Sequence, residues 1–285
     1  MLRNVGIALE MIKWEHSVFA LPFALCGAML AARGVPSLHA LVWIIVCMVS
    51  ARSAAMAFNR VADHQIDARN PRTKMRALPA GHLSRQFVVA FVTVSCTIFI
   101  FGASQLNRLT LLLSPVALGI VMLYSYTKRF TRWSHLVLGL SLGIAPSAAW
   151  IAVTGSLDPR IIILTAAVTC WVGGFDVLYA CQDHEFDCNE GLHSVPRYFG
   201  IKKALLVARL LHVVMLCLLV WLIVSFQLGW IAAAGVFLVA LLLGYEHSLV
   251  SHKDLSQLNA AFFTMNGVIS VLFFFFVAAD VLIKK

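Results

Sequence analysis

Charge is what this chain has least of. Asp, Glu, Lys and Arg make up 12% of its 285 residues, against 61% hydrophobic residues and a mean hydropathy of +0.88. A soluble domain carries about 25% charged residues, so a water-soluble globule is excluded. The seven cysteines, at 26, 47, 96, 170, 181, 188 and 217, form no CxxC pair and fall mostly in apolar runs. That removes both a disulfide framework and a zinc centre from consideration. The first fifteen residues carry Glu10, Lys13 and Glu15 and lead to no small-residue cleavage pattern, so no removable signal peptide is expected. No low-complexity tract or soluble insert interrupts the chain, which reads as a single domain over 1–285.

What the chain does have is long apolar runs. Runs near the roughly 17–25 residues a helix needs to cross a bilayer lie at 16–33, 39–60, 86–106, 110–125, 134–154, 160–180, 204–226, 228–249 and 260–282. The fold class is therefore an all-α polytopic membrane protein with nine transmembrane helices. Eight remain an alternative, because the fourth run is short and the seventh and eighth meet at Gln227. The formal charge of +9 does not point to nucleic acid, because the basic residues alternate from loop to loop. Placing the N-terminus in the cytoplasm puts fifteen Lys and Arg inside and five outside, with Arg52 and Arg209 within runs. By the positive-inside rule that orients the chain in a bacterial-type inner membrane with its C-terminus outside.

Two acidic triplets share one spacing: Asn59, Asp63 and Asp67, then Tyr179, Asp183 and Asp187. Residues four apart on a helix share a face, so each triplet directs two carboxylates the same way. Both triplets end apolar runs, and an even number of crossings separates them, so both open on the cytoplasmic side. Four clustered carboxylates need cations. A pair of Mg²⁺ ions suits them, since Mg²⁺ prefers carboxylate oxygen and completes its shell with substrate phosphates. The following loops add Arg69, Arg72, Lys74 and Arg76, then Lys128, Arg129 and Arg132. Metal and cations together stabilise a departing diphosphate, and an apolar, water-excluding cavity shelters the allylic cation it leaves behind. The connections after both triplets carry a proline and a glycine, Pro79 and Gly81, then Pro196 and Gly200, the mark of a weak internal duplication.

The segment from Ser50 to Asp67 resembles the first Asp-rich motif, NxxxDxxxD, of the UbiA superfamily of intramembrane prenyltransferases. Asp176 to Asp187 resembles its second motif, DxxYxxxDxxxD. Arg76 to Gly81, Tyr124 to Arg129, and His193-Ser194 with Phe199-Gly200 are similar to shorter loop signatures. Within the superfamily the 4-hydroxybenzoate polyprenyltransferase branch is nearest. The resemblance implies nine helices around a central cavity under a cytoplasmic loop cap. It also implies Mg²⁺-dependent transfer of a polyprenyl group from polyprenyl diphosphate to the ring of an aromatic acid in quinone biosynthesis. One departure stands out: many members have Asp directly after the motif Asn, where this chain has Arg60.

The residues then divide by role. Asp63, Asp67, Asp183 and Asp187, with Asn59, are the candidate metal ligands, and Arg72, Lys74, Lys128 and Tyr179 the diphosphate contacts. Arg129 is the candidate clamp for the acceptor's carboxylate. Asp176 and Arg52 are charged residues inside apolar runs, a costly placement that marks function or pairing. Asp176 is expected to line the aromatic pocket with Arg52 supporting it, the alternative being a structural Arg52–Asp176 ion pair. His64 and His184, turned about 100° from the carboxylates, read as surface residues, the small residues Gly139, Gly143, Gly173 and Gly174 as packing positions, and the run Phe273–Phe276 as lipid-facing. The expected acceptor is 4-hydroxybenzoate or, failing that, 1,4-dihydroxy-6-naphthoate. A transporter is the rival from another class, but it would spread polar residues across the membrane depth.

Overall fold

The computed structural model describes residues 6, 7, 10–12, 20–251, 255, 258 and 265–284. The basic residues Arg3, Lys13, Lys253 and Lys285, and the outer parts of the first and last apolar runs, lie outside the described residues. Among the described residues eleven α-helices follow one another: α1 Leu21–Ala32, α2 Leu38–Ala62, α3 His64–Arg69, α4 Arg85–Ser104, α5 Arg108–Thr127 and α6 Ser134–Thr154, then α7 Ile161–Ala180, α8 His184–Glu190, α9 Val195–Ser225, α10 Trp230–Ser248 and α11 Asn266–Ile283. Among the described residues, eight apolar stretches are long enough to cross a membrane, and α1 is a shorter apolar helix. With α1 counted, each of the nine expected runs contains a helix within its described residues.

Three boundaries differ from the sequence reading. The short fourth run is part of a full twenty-residue helix, α5, started by Asn107, whose Oδ1 accepts the Thr110 N–H at 2.9 Å. The seventh and eighth runs are separate helices, because Gln227 between them adopts a positive φ of 52°. The helix of the seventh run, α9, also begins earlier, at Val195. Ser194 caps its start and Gly200, at φ 76°, breaks it.

The long helices form a closed ring. Helix α2 packs on α4 and α5, α5 on α6, α6 on α7, α7 on α9, α9 on α10, α10 on α11, and α11 on α1, which also lies against α6. The tightest crossing is α6 on α7. A Cβ on Gly139 would lie 2.2 Å from the Thr169 carbonyl oxygen and one on Gly143 2.8 Å from that of Thr165, so only glycine lets the backbones touch. The dry core fills one side of the ring. Phe23, Trp171 and Phe273 pack there, with Trp171 and Phe273 centred 5.0 and 5.5 Å from Phe23. Phe273 is therefore a core residue and Phe276 lies against Gly235. Only Phe275 of that run is exposed, since four consecutive helical residues cannot share one face. The other side of the ring, bounded by α2, α5, α6 and α7, is hollow.

Candidate active site

Both acidic motifs are built on interrupted helices. Asp63 ends α2 with φ −96° and ψ 6°, and α3 starts at the next residue. After α7 a 3₁₀ turn, Cys181–Asp183, leads to α8, and Asp183 has φ −98° and ψ 8°. The same break thus falls at the first aspartate of each motif. The four-residue register survives it: in the first motif Asp63 N donates to Asn59 O at 2.9 Å and Asp67 N to Asp63 O at 2.8 Å. His64 and His184, read as surface residues, are half-buried at the starts of α3 and α8, and the Nδ1 of each is enclosed. Arg69 on α3 and Glu190 on α8 join the two short helices through a 3.0 Å ion pair.

The carboxylates are held by named cations. Asp63, 2% exposed, accepts from Lys128 Nζ at 2.6 Å, Asn59 Nδ2 at 3.0 Å and Arg129 Nη2 at 3.3 Å. Asp67, 4% exposed, accepts from Arg76 Nη1 at 2.8 and 2.9 Å, with Arg60 Nη1 4.0 Å away. Asp183 pairs with Arg72, whose Nε donates to its Oδ1 at 2.9 Å, and also accepts from Asn70 Nδ2 at 3.1 Å. Arg72 reaches the Tyr179 hydroxyl at 2.9 Å as well. Burial works against its charge, but the hydrogen bond and charge of Asp183 outweigh that and hold the guanidinium above its ordinary pKa. Asp187 takes a hydrogen bond from Ser194. The loop after the first motif therefore clasps the second. His193 N, donating to Lys128 O at 2.7 Å, ties the α5–α6 and α8–α9 connections together beside it.

Below this polar ring lies a cavity of about 550 Å³. Asn59, Asp63, Asp67, Arg72, Lys128, Tyr179, Asp183 and Asp187 line its mouth, and Arg52 and Asp176 line its wall. Ile44, Met48, Leu106, Ile144 and Ile151 are among its apolar surfaces. The charged groups on the cavity gather toward one end, whereas its far part carries only hydroxyls such as Thr110, Ser114 and Ser147; a transporter is expected to spread charge across the membrane depth.

Two chosen cations are not on that wall. Lys74 is exposed and does not line the cavity. Arg129 also does not line it. Its guanidinium donates to Ala62 O at 2.6 Å, contacts Asp63, and lies 4.8 Å over the Tyr126 ring. The structure thus places Arg129 on an internal carboxylate and off the cavity wall, not in the open position an acceptor clamp would occupy. The alternative Arg52–Asp176 pair is not formed either. Asp176 Oδ2 lies 2.7 Å from His135 Nδ1, while Val195 N donates to His135 Nε2 at 3.2 Å. A ring nitrogen that accepts an N–H carries no proton, so this bonding assigns a neutral His135 with Nδ1–H donating to Asp176. Arg52 keeps an enclosed Nε with no hydrogen-bond partner. The sequence reading did not single out His135 or Asn70, and it gave Tyr124 and Ser194 only as members of loop signatures, without a role. For His135 a signal existed, a histidine inside an apolar run; Asn70 offered none beyond its polarity.

A ring of transmembrane helices around a cavity with an anionic and cationic mouth defines a class, the intramembrane enzymes that hold a charged group at the surface and an apolar one in the bilayer. The UbiA prenyltransferase family model matches residues 20–276. The 4-hydroxybenzoate octaprenyltransferase of Vibrio atlanticus (strain LGP32) is 31% identical over 245 residues, 86% of either chain. That of Aliivibrio salmonicida is 30% identical over 260 residues, 89% of this chain and 88% of the relative. Among solved structures, the apo structure of a UbiA homolog from Aeropyrum pernix K1 aligns with a TM-score of 0.86 at 32% identity, covering 94% of this chain and 98% of that one. The fold is shared too with a UbiA homolog from Archaeoglobus fulgidus bound to GPP and Mg²⁺, at TM-score 0.74 and 20% identity over 96% and 99% of the chains. The chain belongs to the UbiA prenyltransferase family, and it is an integral membrane enzyme.

Proposed function

We propose that this enzyme moves a polyprenyl group from its diphosphate to 4-hydroxybenzoate, at the ring carbon ortho to the hydroxyl. The observation that carries the reading is the meeting of two interrupted-helix carboxylate pairs, with Arg72 and Lys128 between them, over one apolar cavity. The names of the Vibrio and Aliivibrio relatives support this acceptor. The active-site loops face the cytoplasm in this reading.

Mg²⁺ fits the donor set. Among the described residues no three His, Cys, Asp or Glu side chains stand close enough to hold a metal by themselves; the fit rests on the carboxylate oxygens at the mouth, since Mg²⁺ characteristically takes one or two carboxylates and leaves its other positions to phosphate oxygens and water. Asp183 and Asp187, with Asp63, Asp67 and Asn59 across the mouth, would hold it, and Mg²⁺ would neutralise charge developing on the diphosphate. Arg72 and Lys128 bind diphosphate oxygens at the mouth, with Tyr179 beside Arg72, while the prenyl tail lies along the apolar wall. The allylic C–O bond breaks with both electrons leaving on the diphosphate. The ring carbon ortho to the phenol then supplies the electron pair of the new C–C bond. Asp176, oriented by His135, accepts the proton that the ring releases. Arg52, half-buried on the wall with an enclosed Nε that has no partner, takes the acceptor's carboxylate in the place first given to Arg129.

The test is purified enzyme in detergent with Mg²⁺, a prenyl diphosphate and a panel of phenols and aromatic acids, products being read by mass spectrometry. Prenylated 4-hydroxybenzoate is expected, with none from benzoate. Turnover of dihydroxynaphthoate alone would move the substrate to a neighbouring quinone route, and transfer to no aromatic acid would overturn the reading.

A further inference from the structure

The two motifs share a backbone but differ in charge. Asp63 and Asp67 together meet four cations at 2.6–4.0 Å, Lys128, Arg129, Arg76 and Arg60. Asp183 meets Arg72, and Asp187 the neutral hydroxyl of Ser194, with the Lys128 charge acting on it without a direct ion pair. Counting formal charges, the first group carries two more positive charges than negative and the second one more negative than positive.

Arg60 is the unusual member of the first group. It follows Asn59 in the last turn of α2, is 6% exposed, lines the cavity and donates to Asn59 Oδ1 at 3.4 Å. A guanidinium does not shed its proton in a protein. Its charge therefore sits permanently among the side chains expected to hold metal. Asp67 is then shared between two guanidiniums, and a divalent cation beside it would meet a region already in positive excess.

We propose that Arg60 is a built-in cation doing the electrostatic work of a divalent ion at the first motif, so that one divalent ion accompanies the diphosphate and sits toward Asp183 and Asp187. The inference rests on the diphosphate reading above and deepens it. Arg60 is a positioning residue: its charge lies beside Asn59 and Asp67 and sets how many ions the mouth takes.

The test counts ions, not turnover. Full-length protein in detergent is titrated with Mn²⁺ in the presence of a geranyl thiodiphosphate that resists ionisation, and bound Mn²⁺ is measured by electron paramagnetic resonance. Wild type should take up one Mn²⁺ per chain. Arg60→Asp should take up two and Arg60→Lys, which keeps the charge, one. Two ions on the wild type would overturn the proposal without help from any variant, as would a count of one in a folded Arg60→Asp. A count of zero with the analogue bound would remove metal from the reaction as well, whereas failure of the transfer assay with one ion bound would remove the acceptor assignment and leave Arg60's role intact.

Discussion

At the scale of single residues, the cavity separates two kinds of cation. Arg52 has an enclosed Nε without a partner, whereas Arg129 is bonded to Ala62 O and Asp63. Losing a charge-assisted carboxylate contact costs roughly 1.5–3 kcal/mol. Steady-state kinetics should therefore show Arg52→Ala raising KM for 4-hydroxybenzoate by about ten- to a hundredfold, with little change for the diphosphate. An unchanged acceptor KM would remove Arg52 from the role. Lys74→Ala, off the cavity wall, should leave both constants as they are. His135→Ala takes away the donor that orients Asp176, so kcat should fall with KM for the diphosphate nearly constant; a change confined to KM would contradict it. The carboxylates themselves were legible in the sequence, because a four-residue spacing at the end of an apolar run is a local signal. Their partners were not. Asn70 reaches Asp183 across 113 residues and His135 reaches Asp176 across 41, and such pairings are decided by packing, which no spacing in one sequence reveals.

At the scale of helices, hydropathy located the spans because lipid demands apolar length. It did not locate the breaks. The interruptions at Asp63 and Asp183 occur with neither proline nor glycine at the break, so local propensity carries no sign of them. The ion pairs around each aspartate accompany the bend. The glycines on α6 were readable as packing positions, and the structure supplies the reason. A methyl at Gly139 would overlap the Thr169 carbonyl, whereas one at Gly119 meets nothing within 4 Å. Gly139→Ala should accordingly lose about 1–3 kcal/mol and melt earlier in detergent, while Gly119→Ala melts like the wild type. Equal melting of the two would mean that α6 and α7 do not approach as described.

At the scale of the whole molecule, a packed half made by α1, α7, α9, α10 and α11 supports a hollow half whose mouth both motifs share. The ring closes through α11 and α1, so the motif loops gather at one end. The orientation proposed from the fifteen-to-five basic bias has that end facing the cytoplasm. In cells expressing a variant without Cys188 and Cys217, a membrane-impermeant thiol reagent should label a cysteine introduced at Leu157, on the far end, and spare one introduced at Lys74. The reverse pattern would invert the topology. Most direct of all is turnover of Asp63→Asn and Asp183→Asn, one from each motif, in the Mg²⁺-dependent transfer assay at wild-type expression. If one diphosphate is held between the two motifs, each substitution should lower kcat by about a hundredfold or more; near-wild-type turnover in either would contradict a shared site.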